Sequence, residues 1–394
     1  MRVCFLDYAY EPGLPADAGG FRKLWELAAA LTRAGHETLV LYPNLPGRVP
    51  LRPVAAVAYP VLDAPVLRPL SAYAGMVLTA WRLARRQPFD VVYFRSGFNV
   101  LPLMLKRLFG ARIVLEVNAD ALEFMGGEGE SRWKQRLYAR LEGAIARGSD
   151  GIVALTPGLA RMLVERYGVE ARRVAVVPSG TDVCHFTPTD AAVCRRRVGL
   201  PEGAFVVGFV GLAYRHQGVP TLIDAVARLR GVVPGLQALI VGDGAMRGAW
   251  QAHARAAGVA DVVRFAGHVP YAEVAVWFGA MDVVAAPFTA DRGETSPFKV
   301  LDAMACARPV IASDLPSVRW LVEGSEAVRL VAPDDAEALA GALHGLALDP
   351  ALRTRLGARG RRFVCDRYSW DHLATAWLAG LGESAGRDAP AARR

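Results

Sequence analysis

The sequence predicts an α/β protein made of two parallel-sheet domains, and three observations carry that prediction. Short apolar, β-branched runs alternate with helix-length amphipathic segments along the whole chain. The alternation occurs twice, and a stretch rich in Pro, Gly, Ser and Thr, residues 177–188, separates the two series. The chain has 394 residues and is 53% apolar, enough for two domains of roughly 100–200 residues each.

In the first series, strands are expected at residues 3–7, 37–42, 91–94, 112–117, 151–155 and 174–177. Helices are expected at 21–34, 72–86, 100–109, 131–147 and 158–166. In the second, strands are expected at 205–211, 238–242, 262–265, 283–287 and 310–312, with helices between them. A last amphipathic helix begins near Tyr368-Ser369-Trp370-Asp371. Both series read as Rossmann-like. The tail after Glu383, rich in Ala, Arg and Gly, is expected to fray.

No run of eighteen apolar residues occurs, so no transmembrane helix is expected. The opening MRVCFLDYAY reads as a strand and not as a signal peptide. The cysteines, Cys4, Cys184, Cys194, Cys306 and Cys365, are odd in number and scattered, with no C-x-x-C pair. Neither a disulfide framework nor a zinc site is indicated, and a cytoplasmic setting is expected. Residues 1–180 carry 23 Lys+Arg against 16 Asp+Glu, a net of +7, and the rest carry 23 against 22, a net of +1. Such a basic first half suits peripheral contact with the inner face of a membrane, or is simply a solvated arginine-rich surface. The mixed apolar and basic segments 101–109 and 131–147 leave the same two readings open. No nucleic-acid module is recognised.

Residues 294–314, ETSPFKVLDAMACARPVIASD, are the most informative stretch. Glu294 sits in a polar loop. Ser296 and Pro297 are expected to open a helix as its cap and first-turn proline. Asp302 follows Glu294 by eight positions, and a short strand comes next. A helix start facing a cleft offers unpaired N–H groups to an anion. Proline has none, so Phe298 and Lys299 are the expected donors. One acid at the helix mouth and one on its body can grip hydroxyls on either side of a bound diphosphate. A nucleotide sugar requires that arrangement.

This stretch resembles the donor-binding signature of the retaining glycosyltransferases of family 4, which have the GT-B fold. Their pattern is an acid, seven residues and an acid, then a small-residue helix end and a Pro-Val strand. The family usually has Glu where Asp302 stands, and residues 296–299 resemble one branch of it. The segment 177–188 resembles the family's interdomain Pro-Asn-Gly-Val-Asp run. The resemblance covers nearly the whole chain. It implies an acceptor-binding domain over 1–178, completed by a crossing helix at about 369–384, and a nucleotide-sugar-binding domain over 189–368, the two facing a cleft.

It also assigns roles. Glu294 contacts the transferred sugar; the alternative is an ordinary loop acid. Asp302 accepts from the ribose hydroxyls, unless it is a solvated helix acid. Lys299, the only lysine after position 134, meets phosphate as a point charge or stands there by chance. Gly19 and Gly20, ahead of the helix expected at Phe21, let backbone approach the diphosphate or merely form a turn. In the loop from Gly211 to Gly218, relatives carry an Arg and a Lys where this chain has Leu212 and Gln217. Arg215 is expected to supply the charge, with Gln217 as a neutral donor; a weakened site is the competing reading. Asn118 stands where many relatives have His, and Asp120 is expected to orient the acceptor, unless both simply end a strand. The backbone at His268 and Val269 is expected to hold the base.

The implied activity is transfer of a sugar from a UDP- or GDP-sugar to a hydroxyl, with retention. The setting would be polysaccharide, glycolipid or natural-product glycoside synthesis. No D-x-D spacing or metal-ligand cluster is present, so no metal or other cofactor is expected. A sugar-nucleotide epimerase or hydrolase of the same fold, and a non-catalytic nucleotide-sugar binder, are the alternatives. An NAD-dependent enzyme is disfavoured because G-x-G-x-x-G is absent.

Overall fold

A computed structural model describes residues 1–8, 19–64, 67–95, 103–104, 106, 110–120, 122 and 131–385. The chain forms two compact units, Met1–Ser179 with Trp370–Arg394, and Gly180–Ser369.

The first unit contains β1 (Arg2–Leu6), β2 (Glu37–Asn44), β3 (Ala55–Pro60), β4 (Val91–Arg95), β5 (Arg112–Val117), β6 (Gly151–Ala154) and β7 (Val174–Val176). They pair in the order β3-β2-β1-β4-β5-β6-β7, each pair parallel. Strands covered on both faces need unbroken apolar runs, as in Val3, Cys4, Phe5 and Leu6, all buried. Helices Gly19–Arg33 and Trp370–Ala385 cover one face through Trp25, Leu31 and Trp377. Helices Arg68–Arg86, Arg132–Gly148 and Pro157–Tyr167 cover the other through Met76, Ile145 and Leu163. Each large apolar side chain so buried contributes about 1.5–3 kcal/mol.

The second unit contains β8 (Phe205–Val210), β9 (Leu236–Val241), β10 (Val263–Gly267), β11 (Val283–Ala286), β12 (Val310–Ser313) and β13 (Val328–Val331). The parallel order is β10-β9-β8-β11-β12-β13. Each sheet therefore reverses its winding once, between β1 and β4 and between β8 and β11. Ligands of open α/β sheets bind beyond the carboxyl ends of the strands at such reversals.

The structure adds β3 and β13 to the expected strands. Both are edge strands, one alanine-rich and the other only four residues long and half-exposed, so neither announces itself as a buried run. Gly19 and Gly20 lie in the first turn of their helix and not ahead of it; the preceding loop lies outside the described residues. So does most of the helix expected at 100–109. Among the described residues no helix is long and apolar enough to cross a membrane.

Candidate functional site

Two loops meet at the reversal point of the second unit. The first leaves β8 at Gly211, where the Gly211 amide donates to Val241 O (2.9 Å) and the Ala213 amide to Asp243 O (2.8 Å). A short 3-10 turn, Arg215–Gln217, leads into Gly218, whose φ is 65°. A Cβ on Gly218 would stand 1.7 Å from Pro287 O, so both backbone shape and space demand glycine. The second loop leaves β11 at Pro287 and is tied to the first by the Thr289 amide, which donates to His216 O (3.2 Å).

The second loop ends in helix Phe298–Ala305. The expected cap, Ser296, is not the cap. Pro297 takes that position with φ −84° and ψ 58°, and no side chain caps the helix. A proline sets its own φ, and with Pro297 at the boundary the Ser296 hydroxyl takes no bond from the first turn. Ser296 is 4% exposed, and its Oγ has no hydrogen-bond partner. Among the described residues the amides of Phe298 and Lys299 also have no acceptor, whereas Val300 donates to Pro297 O (3.0 Å). Three polar hydrogens are thus held ready at one helix start, where the helix dipole adds positive potential.

Two buried cations reinforce it. Lys299 donates to Gln217 Oε1, both side chains being buried, and its Nζ lies 4.0 Å from the Phe209 ring centroid and 5.4 Å from that of Phe288. A Cβ on Gly211 would fall 2.4 Å from Lys299 Nζ, so the glycine makes room for the ammonium. Arg292 lies over the other side of Phe288, 4.0 Å from the ring centroid. Its Nη1 donates to Thr295 O (3.0 Å), while its buried Nε has no partner. Among the described residues neither cation forms an ion pair with a carboxylate. Burial pushes Lys299 well below its usual range, and the nearby Arg292 charge adds to this. Burial lowers Arg292 to about 10, partly offset by Glu294. His216, beside both, is lowered to about 4 by burial and by Arg292 and Lys299. Buried positive charge without counter-charge is costly, and a polyanion is what it can accommodate.

Arg215 is placed differently from the expectation. Its side chain is 75% exposed and pairs with Asp291, so the buried charge comes from Lys299 and Arg292. Arg292 is the residue that sequence reasoning passed over, because nothing in Asp291-Arg292-Gly293-Glu294 distinguishes a buried guanidinium from a solvated one. Glu294 is half-buried in the same loop, next after Gly293 with φ 73°. Asp302, on the helix body, accepts from Thr181 Oγ1 at 2.5 Å. Along the sheet, Gly242 donates to Gly267 O (2.8 Å), and a Cβ on Gly242 would meet Gly211 O at 1.9 Å. The ends of β8, β9 and β10 therefore form a close-packed backbone shelf, with His268 exposed and Val269 half-buried after it. His268 stands two strand spacings, roughly 10 Å, from Gly211. Among the described residues no group of three His, Cys, Asp or Glu side chains is placed to hold a metal ion.

Comparison with known proteins gives this geometry a family. Residues 204–349 match the family model described as Glycosyl transferases group 1, and residues 19–184 match Glycosyltransferase Family 4. A D-inositol 3-phosphate glycosyltransferase of Stackebrandtia nassauensis is 35% identical over 267 residues, covering 64% of this chain. That match spans only 58% of the relative's length. A protein of the same name from Arthrobacter sp. is 30% identical over 318 residues, covering 77% of this chain and 73% of the relative. The chain belongs to glycosyltransferase family 4. Its fold is GT-B, like that of sucrose-phosphate synthase from Thermosynechococcus elongatus, with a TM-score of 0.78 at 22% identity over 97% of this chain and 98% of the other.

In the first unit of this family-4 chain, Asn118 follows β5 and is half-buried. Asp120 is 4% exposed; its Oδ2 accepts from Arg166 Nη1 (2.6 Å) and its Oδ1 from the Leu122 amide (3.1 Å). Both oxygens of this carboxylate are thus engaged. On β5, Glu116 is buried, 2.9 Å from Lys23 and bonded by the Tyr93 hydroxyl of β4. Burial acts to raise its pKa, but Lys23 and Arg95 outweigh burial and hold it below the usual carboxylate range.

Proposed function

We propose that this chain transfers a sugar from a nucleoside-diphosphate sugar to a hydroxyl acceptor, keeping the anomeric configuration. One observation carries the reading: among the described residues, Lys299 and Arg292 are buried without carboxylate partners beside an uncapped helix start at a sheet reversal. A diphosphate there accepts from the amides of Phe298 and Lys299 and from Ser296 Oγ, and its charge is met by the two cations. The base lies over the backbone at His268 and Val269, and Asp302 accepts from ribose. The sugar then falls beside Glu294.

In this scheme the bond between the anomeric carbon and the diphosphate oxygen breaks as Lys299, Arg292 and the helix amides stabilise the departing charge. The acceptor oxygen bonds to the same face of the anomeric carbon, and the leaving phosphate oxygen takes its proton. Because protein cations meet the leaving charge, the reaction is proposed to run without a metal ion. Acceptors to assay are lipid-linked and polysaccharide hydroxyls, small natural products and, from the relatives' name, D-inositol 3-phosphate.

The test is transfer from UDP- and GDP-sugars, with the product's anomeric configuration read by NMR. Glu294→Ala is expected to abolish transfer while leaving the melting temperature and nucleotide binding in place, and a chelator is expected to leave the wild-type rate unchanged. Full activity in Glu294→Ala, or an inverted product, would overturn the proposal.

A further inference from the structure

Arg247 opens helix Arg247–Ala256, which follows β9. Backbone bonds fix where that helix starts. The Met246 amide donates to Ala213 O (3.0 Å) and the Ala213 amide to Asp243 O (2.8 Å), tying the start to the loop after β8. Asp243 fixes the side chain: its Oδ2 accepts from Arg247 Nη1 (2.8 Å) and its Oδ1 from the Gly244 amide (2.8 Å). The guanidinium is thereby held over Gly267, the last residue of β10. A Cβ on that glycine would stand 3.3 Å from Nη1 and 3.5 Å from both Cζ and Nη2. Such near-equal distances to three atoms of a planar group mean that its face, and not its edge, covers Gly267. The glycine has φ 77°, so backbone shape and the guanidinium both keep a side chain out of this place.

Two features exceed what an anchor for Asp243 requires. Arg247 Nε is buried and, among the described residues, has no hydrogen-bond partner. A buried donor left unpaired is costly, and a ligand oxygen would remove that cost. The side chain as a whole is still 36% exposed, so the group reaches solvent next to His268, the exposed residue that follows Gly267. An ion pair as open as this one also contributes little to the fold. With Nη1 on Asp243, the Nε–Nη2 edge remains, a rigid fork of donors suited to a planar ligand. We infer that Arg247 reads the base of the donor nucleotide by donating from this edge to a ring carbonyl. The inference rests on the donor reading above, in which the base lies over the backbone at His268 and Val269. A guanidinium flat on Gly267 is then side by side with that base, edge to edge. Because the edge only donates, it selects a base with a carbonyl there, uracil or guanine, against one with an amino group, cytosine or adenine.

Calorimetric titration of the full chain with nucleoside diphosphates tests it. The wild type is expected to bind UDP more tightly than CDP, or GDP more tightly than ADP, by about tenfold or more, the worth of one hydrogen bond from a charged donor. This comparison needs no variant. Arg247→Met should remove the preference, while affinity for ribose 5-diphosphate, which has no base, and the melting temperature stay unchanged. Arg247→Lys keeps the charge and can still pair with Asp243, but it lacks the planar fork and should not restore the preference. Equal binding of carbonyl and amino bases by the wild type, or an undiminished preference in Arg247→Met, would overturn the inference. So would full recovery in Arg247→Lys, or a parallel loss of ribose 5-diphosphate affinity, since either would make the arginine an anchor for its loop. These outcomes leave the donor reading standing. A wild-type chain that binds none of UDP, GDP and ribose 5-diphosphate would sink both.

Discussion

Lys299 donates to Gln217 Oε1 across the reversal point of the second sheet, and each side chain is 8% exposed. The pair joins the loop after β8 to the helix after β11, the two elements that would enclose a diphosphate. A neutral amide is a poor counterpart for a buried ammonium, since it returns dipole and not charge. Under the proposed function a bound diphosphate would relieve the electrostatic cost of this arrangement, as a binding group requires and a structural one does not.

Lys299→Met should separate the two readings. Methionine matches the length of the lysine stem and suits the slot between Phe209 and Phe288. Removing the uncompensated charge should leave the melting temperature unchanged or raise it. Donor affinity should fall by about 1.5–3 kcal/mol, the worth of a hydrogen bond to a charged group, or roughly tenfold to a hundredfold in calorimetric titration. A clear drop in melting temperature with donor affinity intact would mean that the lysine serves the fold.

Much of this site was readable in the residues. Glu294 and Asp302 at their spacing mark a loop acid and an acid on the following helix, and the structure has that loop-to-helix geometry. The capping of that helix was not readable. It depends on the ψ of Pro297, a conformational choice that Ser-Pro does not encode, and the outcome left Ser296 buried and unpartnered. The source of positive charge was also hidden. Arg215 sits in the right loop by sequence but points to solvent, while Arg292 is buried against Phe288, a tertiary contact with no local signal. The same divide holds for the fold. Residues 3–6 and 205–210 declare themselves as central strands, being apolar on both faces, whereas Ala55–Pro60 and Val328–Val331 are edge strands whose half-exposed, mixed composition reads as loop.

His216 makes the acid side of the stability profile informative. Its pKa is lowered from 6.5 to about 4, so the imidazole is neutral in the fold where the unfolded chain's would be protonated. Between pH 6.5 and about 4 the unfolded state binds more protons, and stability falls as pH falls through that window. The contribution is fully present above 6.5. His216→Gln should flatten this part of the profile, measured as urea midpoints at the two ends of the window. Donor binding should also take up protons there, because a diphosphate beside Arg292 and Lys299 removes the repulsion that adds to burial in keeping His216 neutral. Calorimetry in buffers of different ionisation enthalpy reads that uptake directly, and an unchanged slope in the variant would remove His216 from the charge cluster.

Asp302 offers a test that distinguishes contact from mere proximity. Its Oδ1 already accepts from Thr181 Oγ1 (2.5 Å), which holds the carboxylate in one orientation. A fixed carboxylate that accepts from ribose should be worth about 1.5–3 kcal/mol in donor affinity. Asp302→Ala and removal of both ribose hydroxyls from the nucleotide should each cost about that much. If they report the same bond, the two losses should not add: the variant should bind normal and dideoxy nucleoside diphosphates equally well. Thr181→Val should give a smaller loss of the same kind, since it frees the carboxylate to rotate without removing it. Full additivity of the Asp302→Ala and dideoxy losses would show that Asp302 does not touch the ribose, and would leave it as the acid that fastens Thr181 to its helix.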